Sequence, residues 1–242
     1  KLPKVAILLA AYNGEQWINA QLDSIWSQQD VTLDIFVSLD ASYDNTLSLL
    51  TDLKCNNSNL FILPYGERFG GAAKNFYRLI KDVDFSMYDF VAFADQDDIW
   101  LSEKLCHGIQ AMKSSGSKAY SSDVMAFWPN GQQKLIKKSY TQKRFDFIFE
   151  SAGPGCTYIF HVEPFLDFKK FITSHWERVL EVEFHDWMAY SFFRSKGYKW
   201  LIDDNPTMLY RQHENNQFGA NSSWTAYVSR LRLIAEGWYA NQ

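Results

Sequence analysis

The stretch YDFVAFADQDDIW, residues 88–100, decides the fold of this chain. Its run from Phe90 to Ala94 is continuously apolar, which predicts a strand buried on both faces. Three carboxylates follow within four residues: Asp95, Asp97 and Asp98. Crowded carboxylates repel one another unless a cation or hydrogen-bond donors lie among them, and Mg²⁺ and Mn²⁺ prefer oxygen ligands. The pattern indicates a metal site at the carboxyl end of a strand, where open α/β sheets bind ligands.

A second interpretation of these acids stays open at this point. A solvated acidic turn that opens the next helix, with Asp98 or Ser102 as its cap, has the same residue types. An isolated Asp-x-Asp does not separate the two interpretations, because so short a pattern arises often by chance.

Composition bounds the class of protein. The chain has 242 residues, 47% of them hydrophobic and 21% charged, which is typical of a globular protein large enough for its own core. Its net charge of −4 argues against a nucleic-acid partner. We interpret its longest basic cluster as a solvated face; the cluster consists of Lys134, Lys137, Lys138, Lys143 and Arg144.

Cysteine usage and hydropathy bear on the compartment. The three cysteines are far apart and form no Cys-x-x-Cys pair, so neither a disulfide framework nor a thiolate zinc site is indicated. No apolar run approaches the roughly 20 residues of a membrane span. We therefore expect a cytoplasmic location, with the inner face of the cytoplasmic membrane as an alternative.

Strand and helix patterns alternate through the first hundred residues. Apolar runs predict strands at 4–10, 33–40, 60–63 and 90–94. Apolar residues at three- and four-residue spacing predict helices from about residue 17, at 44–53 and at 72–81. This order predicts an α/β fold with a mostly parallel central sheet flanked by helices.

The second half of the chain is less regular. We predict helices at 102–114, 144–150, 164–174, 186–196 and 224–239, a hairpin of 119–128 with 132–139, and strands at 156–162, 200–203 and 207–211.

Five short motifs then occur together in one order: AAYNGE at 10–15, LDASYDNT at 39–46, ADQDDIW at 94–100, HDW at 185–187 and YRQH at 210–213. In this order and spacing they resemble the family 2 glycosyltransferases with the GT-A fold, over roughly residues 4–216. ADQDDIW is most similar to bacterial rhamnosyltransferase-like members that build polysaccharides. The resemblance implies one Rossmann-like GT-A domain over 1–242, with a nucleotide-binding half (1–100), a smaller mixed acceptor-binding half (101–216) and a C-terminal helix (217–242).

The resemblance also assigns a donor side. Asp40 matches the acid that accepts a hydrogen bond from the imide N–H of uracil or thymine, and Asp95 matches the acid that contacts the ribose or a metal-bound water. The other residues that it places near the nucleotide are Ala11, Tyr12, Glu15, Arg68, Asn75 and Gln96. A helix-capping turn explains Asp40 equally well, and a plain helix start explains the glycines beside Arg68 nearly as well.

For the metal, Mn²⁺ or Mg²⁺, the resemblance implies Asp97 and His213 as ligands, with Asp95 as an additional one. A structural, hydrogen-bonded histidine is the alternative for His213. Arg211 matches a residue near the phosphate or sugar, with a surface ion pair as its alternative. Asp98 either contacts the donor sugar or caps the next helix.

On the acceptor side, Asp186 matches the general base that takes the proton of the acceptor hydroxyl, with a plain helix-capping acid as its alternative. His185 stands where the family often has a further acid, which puts that acid's role in doubt here. Gly155 matches a loop near the acceptor. Trp187 stacks on a sugar or belongs to the core.

We thus expect an inverting, metal-dependent glycosyltransferase. The first candidate donor is dTDP-L-rhamnose, with a UDP-sugar also open, and the acceptor is a glycan or lipid-linked saccharide. A non-catalytic nucleotide-sugar or glycan-binding module is the first alternative. A nucleotidyltransferase would need a glycine-rich basic loop after the first strand, which residues 12–15 lack. The helix at 224–239 packs on the domain, a second copy or a neighbouring module, or lies on a membrane surface.

Overall fold

A computed structural model of the chain describes residues 1–213. In chain order the strands are β1 (Lys4–Ala11), β2 (Thr32–Leu39), β3 (Leu60–Ile62), β4 (Phe90–Ala94), β5 (Ile99–Trp100), β6 (Ala119–Ser122), β7 (Val124–Phe127), β8 (Gln133–Ile136), β9 (Ile159–His161), β10 (Trp200–Asp203) and β11 (Met208–Arg211). The helices are α1 (Ile18–Trp26), α2 (Thr46–Asn56), α3 (Ala72–Asp82), α4 (Lys104–Ser115), α5 (Val162–Ser174), α6 (Trp176–Val179) and α7 (His185–Ser195).

The large sheet has the strand order β10-β6-β9-β4-β1-β2-β3. Strands β4, β1, β2 and β3 run parallel to one another, and β6 runs parallel to β10. Only β9, among the strands of this sheet in the described part of the chain, runs antiparallel to its neighbours β4 and β6. The predicted mostly parallel sheet is confirmed.

Both faces of this sheet are covered, as the unbroken apolar runs predict. Along β1, Ala6 and Leu8 belong to one buried cluster, while Ile7 and Leu9 belong to a second cluster on the opposite face. Helix α3 covers the first face and α1 the second, because side chains alternate between the faces of a strand.

A smaller sheet, in the order β5-β11-β7-β8, corrects the predicted hairpin. The predicted first arm, 119–128, is two strands: β6 lies in the large sheet, and β7 pairs with β8 in the small one. The chain changes sheets at Asp123, whose carboxylate accepts hydrogen bonds from the backbone N–H groups of Lys138 and Ser139. A period-2 pattern cannot reveal this break, because both segments are extended.

Other differences are local. The helix predicted at 144–150 is a 3₁₀ turn at Asp146–Ile148, and the strand predicted from residue 156 begins at Ile159, after a 3₁₀ turn at Gly155–Thr157. The sequence does not predict α6 and β5, which are the shortest α-helix and the shortest strand of the described residues. The helix predicted at 224–239 lies outside those residues. Within residues 1–213, no helix is both long and apolar enough to cross a membrane.

Candidate active site

Asp40 lies directly after β2, at the carboxyl edge of the large sheet. Its Oδ1 accepts hydrogen bonds from the backbone N–H groups of Ala41 and Phe69, both at 2.8 Å, and its Oδ2 accepts one from Gly70 at 2.9 Å. A carboxylate has about four acceptor positions, so one position of Oδ2 remains for a ligand. The structure therefore gives Asp40 a structural role and leaves one acceptor position of Oδ2 unused, with 4% of the residue exposed.

The turn after β1 is tied to the acidic turn after β4. Tyr12 N–H donates to Oε1 of Gln96 at 2.9 Å, and Nε2 of Gln96 donates back to the Tyr12 carbonyl at 2.8 Å. A Cβ at Gly14 would lie 2.3 Å from the same Oε1, so only glycine allows this approach. The Tyr12 side chain stays exposed beside this double hydrogen bond.

The remaining donor-side candidates differ in how they face solvent. Asn75 is buried, and its Nδ2 donates to the carbonyls of Ala11 and Ser38. It therefore links the carboxyl ends of β1 and β2. Glu15 accepts two hydrogen bonds from Asn45, each 2.9 Å long. Arg68 is exposed. Of these side chains, Arg68 is available to a ligand without rearrangement, whereas Asn75 is not.

The acids after β4 meet a cysteine that sequence reasoning missed. Ligand atoms of Asp95, Asp98 and Cys156 lie within 4.8 Å of one another. The pairing of β4 with β9 causes this, because it continues through a hydrogen bond from Phe93 N–H to the Tyr158 carbonyl and so brings the preceding 3₁₀ turn to the acids. Burial raises the pKa of the Cys156 thiol, which keeps the sulfur protonated and a poor ligand.

The Asp98 side chain is buried beneath the acidic turn and does not face solvent. It is fully buried, its Oδ1 accepts the Arg211 backbone N–H at 3.1 Å, and within the described residues its Oδ2 accepts no hydrogen bond. Burial raises the pKa of this carboxyl well above its ordinary value. The predicted contact with a sugar does not fit this burial, and neither does the predicted cap, since α4 begins after Glu103.

Asp97 and His213 lie side by side, as the metal prediction requires. His213 Nε2 is 2.7 Å from Oδ2 of Asp97, and the imidazole stacks on the indole of Trp17 with ring centroids 4.1 Å apart. Strand pairing of β11 with β5 produces the contact, since it aligns the end of one strand with the start of the other. Arg211 completes the arrangement by donating from Nε to the Asp97 carbonyl at 2.7 Å.

These residues fit a hard divalent cation. Burial and, to a smaller extent, the charges of Asp97 and Asp186 together raise the pKa of Asp95 to about 7. Such strain between carboxylates is relieved by a cation, and oxygen ligands with one imidazole suit Mn²⁺. Asp95, Asp97 and His213 would hold the ion, and ligand atoms of Asp95 and Asp98 lie within 4.8 Å of each other.

The first turn of α7 supplies the facing side of the site. The His185 ring stacks on Phe76 of α3 at a centroid distance of 3.9 Å, and burial lowers its pKa to about 3, so it is neutral at physiological pH. The next residue, Asp186, accepts the N–H of Trp187 at 2.7 Å. Burial raises the pKa of Asp186 to about 6.

Because residue 155 is a glycine, the first turn of α7 can pack closely against the 3₁₀ turn at Gly155–Thr157. A Cβ at residue 155 would lie 2.8 Å from Nε2 of His185 and 3.2 Å from Cβ of Asp186. The predicted acceptor-side residues Gly155, His185 and Asp186 are therefore in contact. Trp187 donates from Nε1 to the Phe147 carbonyl at 2.7 Å, a contact that fixes the neighbouring 3₁₀ turn.

Lys104 is the second buried residue that sequence reasoning missed. It is fully buried, its Nζ lies 4.1 Å from the centroid of the Trp100 ring, and burial lowers its pKa to about 8. The charge of Asp98 acts in the opposite direction. A lysine at the start of a helix ordinarily faces water, so no sequence signal marks it.

Comparison with known proteins decides the family. A family model described as "Glycosyl transferase family 2" matches residues 6–166. The chain belongs to glycosyl transferase family 2. Family membership makes it a glycosyltransferase and confirms the resemblance inferred from the five motifs.

Two curated relatives from this family are informative. A protein of Shigella flexneri named "dTDP-rhamnosyl transferase RfbG" is 48% identical over 97% of this chain and 81% of its own length. The Escherichia coli protein named "UDP-Glc:alpha-D-GlcNAc-diphosphoundecaprenol beta-1,3-glucosyltransferase WfgD" is 29% identical over 63% of this chain and 57% of its own length.

Solved structures share the fold at low identity. Staphylococcus aureus TarS 1-349 in complex with UDP-GlcNAc has a TM-score of 0.65 and 18% identity, and the match covers 96% of this chain and 65% of that one. The mannosyltransferase PcManGT from Pyrobaculum calidifontis, in complex with GDP-Man and Mn²⁺, has a TM-score of 0.59 and 17% identity, with 90% of this chain and 59% of that one covered. The chain therefore has the GT-A fold and spans about two thirds or less of these two structures.

Proposed function

We propose that this glycosyltransferase transfers L-rhamnose from dTDP-L-rhamnose, with inversion and with a divalent cation, to a hydroxyl of a bacterial polysaccharide or lipid-linked glycan. The observation that carries the mechanism is the position of Asp186. A Cβ at residue 155 would lie 3.2 Å from Cβ of Asp186, and the sulfur of the next residue, Cys156, lies within 4.8 Å of a carboxylate oxygen of Asp95. The two carboxylates are therefore near neighbours although they come from opposite halves of the chain. A base thus stands close to the acids that would hold the cation.

The donor side is built around Asp40. The free acceptor position on its Oδ2 suits the imide N–H of a pyrimidine ring. Thymine and uracil present the same imide edge, so this contact accepts dTDP- and UDP-sugars alike. The identity of 48% to a dTDP-rhamnosyl transferase is what favours dTDP-L-rhamnose.

The leaving group is a nucleoside diphosphate, whose negative charge rises as the glycosidic bond breaks. Asp95, Asp97 and His213 would hold a cation, which would supply Lewis-acid stabilisation of that charge. Hydrogen bonds within the protein hold the acidic turn in place. The double hydrogen bond between Gln96 and Tyr12 fixes the turn, and Arg211 donates to the Asp97 carbonyl.

Asp186 acts as the general base. In an inverting transfer the acceptor hydroxyl attacks from the side opposite the diphosphate, and a carboxylate takes its proton. A pKa of about 6 leaves Asp186 ionised at neutral pH yet makes it a stronger base than an ordinary aspartate. The neutral His185 beside it adds no positive charge that would weaken the base.

The acceptor is proposed by class. Because the named E. coli relative acts on a diphosphoundecaprenol-linked sugar, we propose a membrane-held, lipid-linked saccharide as acceptor, used at the cytoplasmic face of the membrane.

The test is sugar transfer from dTDP-L-rhamnose to a lipid-linked saccharide, assayed with Mn²⁺, with Mg²⁺ and in excess chelator. UDP-glucose serves as the matched donor control. We expect cation-dependent transfer that prefers dTDP-L-rhamnose, with an inverted anomeric centre by NMR. Undiminished transfer in chelator would overturn the metal role, and a preference for UDP-glucose would overturn the donor.

A further inference from the structure

Apolar side chains exposed to solvent concentrate in one short basic stretch, residues 134–149, which we call the basic aromatic segment. Twelve large hydrophobic residues are exposed in the described part of the chain, and five of them fall within these sixteen positions: Leu135, Tyr140, Phe145, Ile148 and Phe149. Single exposed apolar residues are ordinary, whereas a cluster marks an interaction surface.

The charge of this segment is opposite to that of the whole protein. It carries five basic residues and one acid, Asp146, while the chain as a whole has a net charge of −4. The acid is already paired, since Asp146 lies 2.9 Å from a guanidinium nitrogen of Arg194. The segment therefore presents unbalanced positive charge next to exposed rings.

The 3₁₀ turn at Asp146–Ile148 divides inner from outer side chains. Phe147 packs against the core and Asp146 pairs inward with Arg194. With three residues per turn, Phe145 and Ile148 share the opposite side, and their exposed fractions are 53% and 54%. Phe149 follows with 76% of its surface exposed.

The inner side of the 3₁₀ turn is hydrogen-bonded to α7, the helix that carries the proposed base, Asp186. The Phe147 carbonyl accepts hydrogen bonds from Nε1 of Trp187 at 2.7 Å and from Ser191 Oγ at 2.8 Å, both on α7. Trp187 directly follows Asp186. Any surface that binds the outer side of the turn is thereby held at a fixed place relative to the acceptor side of the site.

From these contacts we propose that the basic aromatic segment binds the surface of a bilayer containing anionic phospholipids. Rings and an aliphatic side chain enter the interfacial region while lysine and arginine contact anionic headgroups, the combination that interfacial membrane segments use. Long basic side chains also lay their apolar stems along such a surface. A nucleic acid would stack on aromatic rings but has no comparable contact for Ile148.

This inference gives the proposed lipid-linked acceptor a route to Asp186 and rests on the proposed function for that role alone. Vesicle binding itself needs neither donor, cation nor acceptor. The two proposals can therefore fail separately.

The experiment is flotation of the full chain with vesicles of phosphatidylcholine alone, and of equal parts phosphatidylcholine and phosphatidylglycerol. We expect binding to the anionic vesicles. The triple variant Lys137→Gln, Lys143→Gln, Arg144→Gln should lose roughly 100-fold in vesicle affinity. The pair Ile148→Ser, Phe149→Ser should lose about tenfold or more.

Matched controls lie elsewhere on the surface. Lys54→Gln, Lys113→Gln, Lys170→Gln removes three exposed charges, and Met87→Ser, Leu166→Ser replaces side chains that are 74% and 43% exposed. Both controls should bind vesicles like the wild type. Circular dichroism and hydrolysis of the donor in solution check that every variant is folded.

Three results would overturn the proposal. The wild type could bind neutral and anionic vesicles equally weakly, or the segment variants could bind as the controls do. The third is a dimer by light scattering that Ile148→Ser, Phe149→Ser converts to a monomer, which would make the segment an interface between two copies.

Discussion

His213 Nε2 lies 2.7 Å from Oδ2 of Asp97, a contact that spans 116 positions of sequence. Both atoms are of types that ligate divalent metals, so these two residues would help to hold the proposed cation. The stack of His213 on Trp17 keeps the imidazole in position for either partner.

Removing either ligand should weaken the cation site while the fold persists. We expect Asp97→Asn to lower kcat roughly 10²–10³-fold, because stabilisation of the departing diphosphate is lost. His213→Ala should cost less, roughly 10–100-fold in cation affinity, since the carboxylates remain. Mn²⁺ titration followed by calorimetry measures the affinities. Activity of Asp97→Asn that matches the wild type at all Mn²⁺ concentrations would contradict the assignment.

Cation affinity should rise with pH. The raised pKa of Asp95, about 7, means that a proton occupies this carboxyl below neutrality and must leave before a cation binds. Loss of one proton with this pKa predicts a Kd for Mn²⁺ roughly tenfold tighter at pH 8 than at pH 6. Calorimetry at the two pH values, in buffers of different ionisation enthalpy, would also detect the released proton. A Kd independent of pH would count against this role of Asp95.

At saturating Mn²⁺, we expect Asp186 to set the acidic limit of activity. A general base works only when ionised, so kcat/KM should be complete above about pH 7 and decline as pH falls through about 6. Asp186→Asn should reduce transfer roughly 10²–10⁴-fold and leave nucleotide affinity unchanged. Transfer rates and dTDP binding measured side by side check both statements. Transfer by Asp186→Asn at the wild-type rate would exclude it as the base.

Because Asp186 is buried, Asp186→Asn should also stabilise the folded protein at neutral pH. The pKa of Asp186 is raised from 3.8 to about 6, so its contribution to stability is complete below about pH 4 and is lost as pH rises through 6. Asp186→Asn removes the buried charge and keeps an oxygen to accept the Trp187 N–H. At pH 7 we expect Tm to rise by about 3–6 °C in metal-free protein, and at pH 4 to change little. The exposed Asp52→Asn is the control, and an unchanged Tm at pH 7 would contradict the prediction.

Two glycine substitutions should separate the two sides of the site. Gly14→Ala brings a Cβ against the end of the Gln96 side chain, which must shift and lose its hydrogen bonds to Tyr12, so nucleotide binding should weaken. Gly155→Ala presses on His185 and Asp186, so it should reduce transfer and leave nucleotide affinity near the wild-type value. Kd and kcat for both variants give the comparison. Equal effects of the two variants on both quantities would show that the two sides are not independent.

The parallel half of the fold follows from the sequence because its signals are local. Each buried strand is a continuous apolar run, and each helix repeats apolar residues at its own period, so the order of elements can be inferred without knowing any distant contact. Asp40 and Asp95 were placed at strand ends by the same reasoning, and the structure has them there.

The small sheet could not be inferred in this way. Its strand β5 has two residues, and it forms because Ile99 pairs with Leu209, far along the chain. The buried positions of Asp98, Cys156 and Lys104 depend on such long-range pairing too, and each residue type alone suggests a different environment. The sequence patterns indicate which residue types form the site. The pairing of distant strands decides which of these residues are buried beneath it.

The reversed direction of β9 has a consequence for how such enzymes diversify. Because β9 enters the sheet from the edge where the acids lie, the long connection that precedes it arrives beside Asp95 and Asp98. Residues can be inserted or exchanged in that connection without disturbing β1, β2 or the ends that hold the donor. The same fold can in this way accept different acceptors while its donor side stays unchanged.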